Sequence, residues 1–210
     1  MSLCLDQLQI RRAGAVIVEL TAEVAPGAVL TVMGPSGSGK STLLAALIGA
    51  LPVGFTASGR VVLNGRDISA LPTAERRIGL LFQDDVLFPH LSVAQNLGFG
   101  LRPGGPKADR LARIEAALDQ MGLAGLGPRD PATLSGGQRA RVALARTLLA
   151  EPLALLLDEP FSRLDQTLRA QIRKLVFDAA ADLPVILVTH DPEDARAAGG
   201  PVIDPLGRPL

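Results

Sequence analysis

The sequence is poor in aromatic side chains, in cysteine and in net charge. It has no tryptophan or tyrosine and only six phenylalanines, so we do not expect an aromatic platform for single-stranded nucleic acid. Its 21 basic and 21 acidic residues leave no net charge to attract nucleic acid or acidic lipid. The single cysteine, Cys4, cannot form a disulfide within the chain, which is typical of a reducing compartment. A globular cytosolic domain without a nucleic-acid partner is the prediction.

Long hydrophobic runs are also missing, although hydrophobic residues make up 48% of the 210 positions. The most apolar stretch, Leu153–Leu157, lies between charged residues and is too short to cross a membrane. Residues 1–9 contain no basic cluster followed by an apolar core, so we expect no secretory signal. The length fits one domain.

Short β-rich runs alternate with longer helical patterns, which predicts an α/β fold with a parallel sheet covered by helices. The first third contains strand-like runs separated by turn residues, which predicts an N-terminal antiparallel sheet. Residues 84–150 have a helical character, and Gly122 is placed to end one helix. The apolar repeat of that helix is Leu111, Ile114, Leu118 and Met121. We therefore predict one domain over 1–210, with a core of 1–83 and 151–210 and an inserted helical subdomain at 84–150.

A glycine-rich segment has the full spacing of a phosphate-binding P-loop. It follows a strand-like run and precedes a helix-like run that begins at Thr42. Its glycines would let backbone N–H groups wrap a phosphate, Lys40 would reach the β- and γ-phosphates, and the Ser41 hydroxyl would bind Mg²⁺. The predicted nucleotide contacts are Gly34, Pro35, Ser36, Gly37, Ser38, Gly39, Lys40, Ser41 and Thr42. The alternative is a glycine-rich turn with a solvated lysine.

Two carboxylates, Asp158 and Glu159, end an apolar run of the kind buried on both faces of a sheet. Asp158 could hold Mg²⁺ directly or through water. Glu159 is the better candidate for the general base that polarises the attacking water. Alone, the pair could also be solvated charges that close a strand, but beside a P-loop the catalytic interpretation is favoured.

Two further polar residues end strand-like runs, and the carboxyl ends of parallel strands are where ligands collect. The Gln83 amide could touch Mg²⁺ or the attacking water, and the alternative is a surface glutamine. His190 could contact the γ-phosphate and the water, and the alternative is a core or capping histidine. His90 is assigned a structural role.

The segment Leu134–Gln138 precedes a strong helical pattern. Ser135 with Gln138 three residues later is a capping-box pattern. The same geometry, with two glycines and a helix N-terminus, would make a second anion site. The predicted contacts there are Ser135, Gly136, Gly137 and Gln138. Because the chain already has one phosphate loop, this second site would serve a nucleotide held by another molecule.

These motifs occur in the order of the ABC-type ATPase cassette, and the chain resembles that family along essentially its whole length. The motifs that carry the resemblance are the P-loop, Gln83, the Leu134–Gln138 signature, Asp158-Glu159, Ser162-Arg163-Leu164-Asp165 and His190. The surroundings are similar to ATP-binding subunits of bacterial importers of the iron, polyamine and thiamine type. That similarity lies in Arg77-Ile78-Gly79, in Leu87–Val93 and in Asp158-Glu159-Pro160-Phe161.

The resemblance implies a P-loop NTPase with a RecA-like, mostly parallel core that uses ATP and Mg²⁺. It implies a head-to-tail dimer in which Ser135 and Gly137 of one subunit face the phosphate loop of the other, and Asp165 links the two sites. The segment from Gln83 to about Asn96 would line a groove for a helix of a membrane permease. The implied partners are a second ATPase subunit, that permease and an extracytoplasmic solute-binding protein. The implied location is the cytoplasm, peripheral on the inner face of the membrane.

The chain departs from the family in three places. Members usually stack an aromatic residue on adenine, whereas here the region carries Arg11 and Arg12, either of which could stack instead. The segment Ser162-Arg163-Leu164-Asp165, which we call the aspartate loop, has Arg163 where a small residue is commoner. The last residues resemble a shortened hairpin, with no further regulatory domain.

The sequence therefore predicts the ATP-hydrolysing subunit of an ABC importer. The alternative is a soluble ABC ATPase that serves nucleic acid, the ribosome or cofactor assembly. Such proteins usually carry coiled coils, a second cassette or basic extensions. The transported solute is not encoded in any recognisable motif of this chain.

Overall fold

The computed structural model describes residues 2–210, which form two compact units. The first unit contains the residues up to Leu80 together with Leu153–Glu159 and Phe177–Leu210. The second contains Leu81–Pro152 and Pro160–Val176. In the described part of the chain, no helix is both long enough and apolar enough to cross a membrane.

An antiparallel sheet occupies the start of the first unit. Its order is β2-β1-β4-β5, and its strands are β1 (Leu3–Arg12), β2 (Ala15–Val24), β4 (Phe55–Leu63) and β5 (Arg66–Asp67). Alternate residues of β1 are buried, as expected for a strand with one face on a core. The N-terminal antiparallel sheet expected from the sequence is therefore present.

A five-stranded sheet of order β6-β7-β8-β3-β9 forms the centre of the same unit. Its strands are β3 (Val29–Met33), β6 (Ile78–Leu81), β7 (Ala154–Asp158), β8 (Val185–Thr189) and β9 (Val202–Ile203). The strand pairs of β3 with β8, β3 with β9 and β7 with β8 are parallel. Nearly every residue of the central strands is buried, because helices cover both faces of such a sheet. The predicted α/β class is confirmed.

Helix α1 (Lys40–Leu47) follows the glycine-rich loop, and a buried arginine caps its far end. Arg76, in the short helix α2 (Thr73–Arg76), donates from Nη1 to the carbonyl oxygens of Ala46 and Leu47, both at 2.9 Å. Its Nε donates to the Leu71 carbonyl at 2.8 Å. A positive group at a helix C-terminus satisfies the last carbonyls and opposes the helix dipole. Arg76 therefore anchors the helix that begins at the phosphate loop.

Helices α3 (Val93–Gly100), α4 (Lys107–Gln120) and α5 (Gly136–Leu149) lie in the second unit. A 3₁₀ turn, Pro131–Thr133, precedes α5. Helix α6 (Gln166–Ala179) begins in the second unit and ends in the first, and α7 (Pro192–Ala198) lies in the first.

The apolar repeat that predicts α4 is only partly buried. Ile114, Leu118 and Met121 are buried and Gly122 ends the helix with φ +64°. Leu111, in contrast, is 49% exposed. It lies in the second turn of α4, so the helical spacing is correct but the buried face does not extend to this turn.

Candidate functional site

The glycine-rich loop connects the end of β3 to α1, at the carboxyl edge of the parallel sheet. Gly37 and Gly39 have φ of +79° and +101°, a region that glycine enters without steric cost. Lys40 is 7% exposed, and its Nζ donates to the carbonyl oxygens of Gly34 at 2.7 Å and Pro35 at 2.9 Å. The loop thus curls around its own lysine, which is placed beside the space that a phosphate would take.

One polar atom inside this loop has no partner. The Ser38 hydroxyl oxygen is buried and makes no hydrogen bond with any described residue. It also lies 2.7 Å from where a Cβ on Gly34 would be, so a side chain at position 34 would collide with it. Buried polar groups are almost always paired. The unpaired hydroxyl, the inward lysine and the N-terminus of α1 fit an anionic phosphate ligand.

Asp158, Glu159 and His190 meet at the ends of β7 and β8. The Glu159 backbone has φ +44° and its N–H donates to the Val188 carbonyl at 2.9 Å. His190 Nδ1 lies 3.0 Å from Glu159 Oε2. The glutamate side chain is only 19% exposed, whereas the histidine is 60% exposed. The histidine therefore orients the carboxylate from the solvent side.

Negative charge accumulates at this strand end. Burial raises the pKa of Asp158, and the neighbouring Glu159 raises it further, against the opposite effect of Lys40. A divalent cation would relieve that penalty. Among residues 2–210, no cluster of three or more His, Cys, Asp or Glu side chains could hold a metal by itself. A cation here would be bound partly by protein side chains and partly by phosphate and water oxygens, as Mg²⁺ is in nucleotide sites.

The signature segment begins α5 with both halves of a capping box. Ser135 Oγ accepts from the Gln138 N–H at 3.3 Å, and Gln138 Oε1 accepts from the Ser135 N–H at 2.9 Å. A Cβ on Gly137 would lie 2.6–3.1 Å from the side chain of Leu168, whereas one on Gly136 would meet nothing closer than an Arg139 nitrogen at 3.8 Å. The two glycines therefore differ: Gly137 is closed by packing and Gly136 is open.

Two further predicted residues of the second unit, Gln83 and Asp165, each make a hydrogen bond within that unit. Gln83 Nε2 donates to Ser162 Oγ at 3.2 Å. Asp165 Oδ1 accepts from the Leu168 N–H at 3.0 Å and thereby fixes the start of α6. The structure therefore brings together the phosphate loop, Asp158, Glu159 and His190 in the first unit, and it describes Gln83, the signature and Asp165 in the second.

Three side chains that the sequence did not single out, Asp84, Asp85 and Arg139, complete this region. Asp84 forms an ion pair with Arg163, and Asp85 Oδ2 lies 3.4 Å from Arg139 Nε. These residues line a groove of about 490 Å³ together with Gln83 and the residues that follow it. The two members of each ion pair are far apart in sequence. Of the three side chains, only Arg139 has a signal in the sequence, which is its position directly after the signature.

The hairpin where an adenine-stacking aromatic is usual carries the two arginines in different settings. The Arg12 guanidinium lies over the Phe55 ring, 5.2 Å from its centroid. Arg11 donates from Nε to Gln9 Oε1 at 2.8 Å and from Nη1 to the Gly14 carbonyl at 3.4 Å. One face of Arg12 is thus covered by an aromatic ring of this chain.

Comparison with known proteins gives consistent matches. A family model described as ABC transporter matches residues 17–162. The chain is 49% identical over 199 residues to the uncharacterized ABC transporter ATP-binding protein YnjD of Escherichia coli, which covers 93% of this chain and 91% of that relative. It is 50% identical over 196 residues to the thiamine import ATP-binding protein ThiQ of Cereibacter sphaeroides, with 91% and 83% covered. It is 45% identical over 192 residues to the sulfate/thiosulfate import ATP-binding protein CysA of Gloeobacter violaceus, where it spans 89% of this chain but 54% of that relative.

Proposed function

The chain belongs to the ABC transporter family, and from that premise we propose that it is the ATP-binding and ATP-hydrolysing subunit of an ABC-type import system. It energises solute transport through a separate membrane permease. The observation that carries the proposal is the meeting of the phosphate loop, Lys40, Glu159 and His190 at one edge of the parallel sheet. The import names of the relatives ThiQ and CysA support the direction of transport.

The phosphate loop binds the triphosphate of ATP. Lys40 exchanges the carbonyl oxygens of Gly34 and Pro35 for oxygens of the β- and γ-phosphates, and the buried Ser38 hydroxyl gains a partner. Backbone N–H groups of the loop and the positive end of α1 add to the binding. The ligand therefore gives Ser38 a hydrogen-bond partner and replaces the loop's own carbonyl oxygens as the partners of Lys40.

Ser41 and Asp158 would hold Mg²⁺ beside this loop. The cation would neutralise charge on the phosphates during transfer. Asp158 contributes a carboxylate whose raised pKa reflects burial and crowding by Glu159. Gln83, which the sequence predicts to touch the metal or the water, lies in the second unit, and this role stays a prediction.

Glu159 accepts the proton of the attacking water. His190, 3.0 Å from the Glu159 carboxylate, holds that carboxylate in position, and its exposed ring can turn to the γ-phosphate. Because phosphoryl transfer depends mainly on positioning and charge neutralisation, one well-aimed base is enough.

The signature segment completes a site on a second copy of the chain, in a head-to-tail dimer. The 14-residue helix α5 presents its N-terminus with Ser135 and Gly136, which is a suitable anion site. Residues 84–150 act as a helical subdomain, and the groove beside Gln83 receives a helix of the permease. An extracytoplasmic solute-binding protein delivers the solute, and the subunit sits on the inner face of the membrane.

The test is steady-state ATPase activity of Glu159→Gln. We expect turnover to fall by about a hundredfold or more, because general bases commonly contribute that much. ATP binding should be retained, since the phosphate loop is unchanged. Glu23→Gln, an exposed position on β2 in the same unit, is the matched control and should keep wild-type turnover.

Near wild-type turnover in Glu159→Gln would refute the proposed base. Co-purification of the wild-type chain with a membrane protein would support the importer. Recovery only in an assembly without a membrane protein would favour the alternative of a soluble ABC ATPase.

A further inference from the structure

Three consecutive side chains after β6 each contact a partner from a distant segment. Gln83 Nε2 donates to Ser162 Oγ at 3.2 Å, and Asp84 forms an ion pair with Arg163. Asp85 lies 3.4 Å from Arg139. We call residues 83–85 with these three contacts the 83–85 clasp. All of it lies in the second unit.

The partners of the clasp belong to two segments for which the resemblance implies a role in the dimer. The signature would face the nucleotide of a neighbouring subunit, and the segment that ends at Asp165 would link the two sites. Ser162 and Arg163 precede Asp165, which itself holds the start of α6 through the Leu168 N–H. Arg139 directly follows the signature, and its Nη1 donates to the Leu134 carbonyl at 2.8 Å. The clasp therefore joins the segment that begins at Gln83, which we call the glutamine loop, to both the aspartate loop and the signature.

Two adjacent contacts also fix the register of the clasp. Residues 83 and 84 meet residues 162 and 163 one to one, so a shift of either segment by one residue would break both contacts. Arg163 and Asp84 have side-chain exposures of 64% and 59%. An ion pair exposed to this extent contributes little to the stability of the fold. Its effect is therefore expected on the position of the two loops and not on folding.

We propose that Asp84 and Arg163 are positioning residues for ATP hydrolysis, whose ion pair holds the aspartate loop and the glutamine loop in one arrangement. The proposal rests on the proposed ATPase function and adds a specific pair to it. Because the pair lines the groove beside Gln83, a partner segment bound in that groove would contact Asp84 and Arg163 directly. Neither residue is assigned a contact with ATP, metal or water.

The experiment compares Arg163→Asp, Asp84→Arg and the double variant with the wild-type chain. Each single variant places like charges together, and we expect kcat to fall by about fivefold, a typical effect for residues that couple two sites. KM for ATP should stay within about twofold, since the phosphate loop is unchanged. The double variant restores opposite charges and should return kcat to within about twofold of the wild-type value.

A matched control is available in the same unit. Arg113 and Glu151 form an ion pair at 2.7 Å with exposures of 47% and 49%, outside the clasp. Arg113→Asp should leave kcat unchanged. A fall of kcat in this control as large as in Arg163→Asp would show a general effect of charge reversal and would overturn the proposal.

Amide hydrogen exchange of the ligand-free chains gives a readout that does not depend on hydrolysis. The single variants should exchange at least about threefold faster in peptides that cover 134–139 and 162–168, because local opening becomes easier. The double variant should return to the wild-type rate. If the wild-type chain fails to hydrolyse ATP, the proposed function is refuted. The exchange rates of the variants would still show whether the ion pair between Asp84 and Arg163 holds the two loops together. Wild-type exchange in both single variants, or a double variant without recovery of exchange or kcat, overturns the proposal.

Discussion

The two glycines of the signature provide a test in which adjacent positions give opposite results. In Gly137→Ala the new methyl group would lie 2.6–3.1 Å from three atoms of Leu168, closer than carbon atoms can approach. Overpacking costs about 1–3 kcal/mol, and we expect a value near 1 kcal/mol because the atoms that must move are the end of a half-buried leucine side chain. In Gly136→Ala the nearest atom would be at 3.8 Å, so the change should be neutral or stabilising by up to about 1 kcal/mol, because alanine is a better helix former. The expected difference is about 1–2 kcal/mol in the free energy of unfolding.

Chemical denaturation of the two variants measures that difference, and thermal unfolding should separate their midpoints by about 2–8 °C. Leu168→Ala supplies the control, because it removes the atoms that the Gly137→Ala methyl group would meet. In that background Gly137→Ala should cost less than about 0.5 kcal/mol, so the coupling energy should be at least about 0.5 kcal/mol. An equal or larger loss of stability in Gly136→Ala, or no rescue by Leu168→Ala, would refute the packing argument.

Two further predictions concern the first unit. Burial and Glu159 raise the pKa of Asp158 above its usual value of 3.8, so the folded chain retains a proton that the unfolded chain releases. The contribution of Asp158 to the free energy of unfolding of the nucleotide-free protein should therefore fall as pH rises from about 3.8 through the raised pKa. Asp158→Asn should weaken this dependence in denaturation curves measured between about pH 3 and 7, and an unchanged slope would contradict the assignment. Arg76→Met should lower the free energy of unfolding by about 2–4 kcal/mol, because several buried carbonyl groups lose their donor. Arg76→Lys should recover only part of it, since an ammonium lacks the planar fork, and a loss below about 1 kcal/mol in Arg76→Met would contradict the anchoring role.

The parts of the fold that the sequence predicts are those with local signals. The P-loop spacing, the capping box of Ser135 and the glycine that ends α4 each lie within a few residues, and the structure contains all three. The alternation of short apolar runs with helices likewise predicts the parallel sheet, because strands buried on both faces need continuous apolar residues.

The parts that the sequence does not predict depend on contacts between distant segments. Gln83 and Ser162 are separated by 79 positions, and nothing in the sequence of either segment indicates that the two are in contact. Arg163 departs from the family pattern, but only the fold supplies its partner, Asp84. The exposure of Leu111 could not be predicted for a related reason. Helical spacing defines a face, and tertiary contacts decide how much of that face is covered.

The structure also refines how the signature can meet a nucleotide in the proposed dimer. The sequence predicts that Ser135 and Gly137 face the phosphate loop of the other subunit, yet the Cβ direction of Gly137 is occupied by Leu168. Ser135 Oγ accepts a hydrogen bond within its own helix, but its hydroxyl hydrogen remains available, because a hydroxyl both donates and accepts. Gly136 has the open space beside it. The side chain at position 135 and the backbone at positions 136 and 137 are therefore the groups that can approach an anion, while Leu168 holds the helix start from behind. A variant that enlarges position 136 should thus weaken ATP-dependent association, whereas one that enlarges position 137 should first weaken the fold.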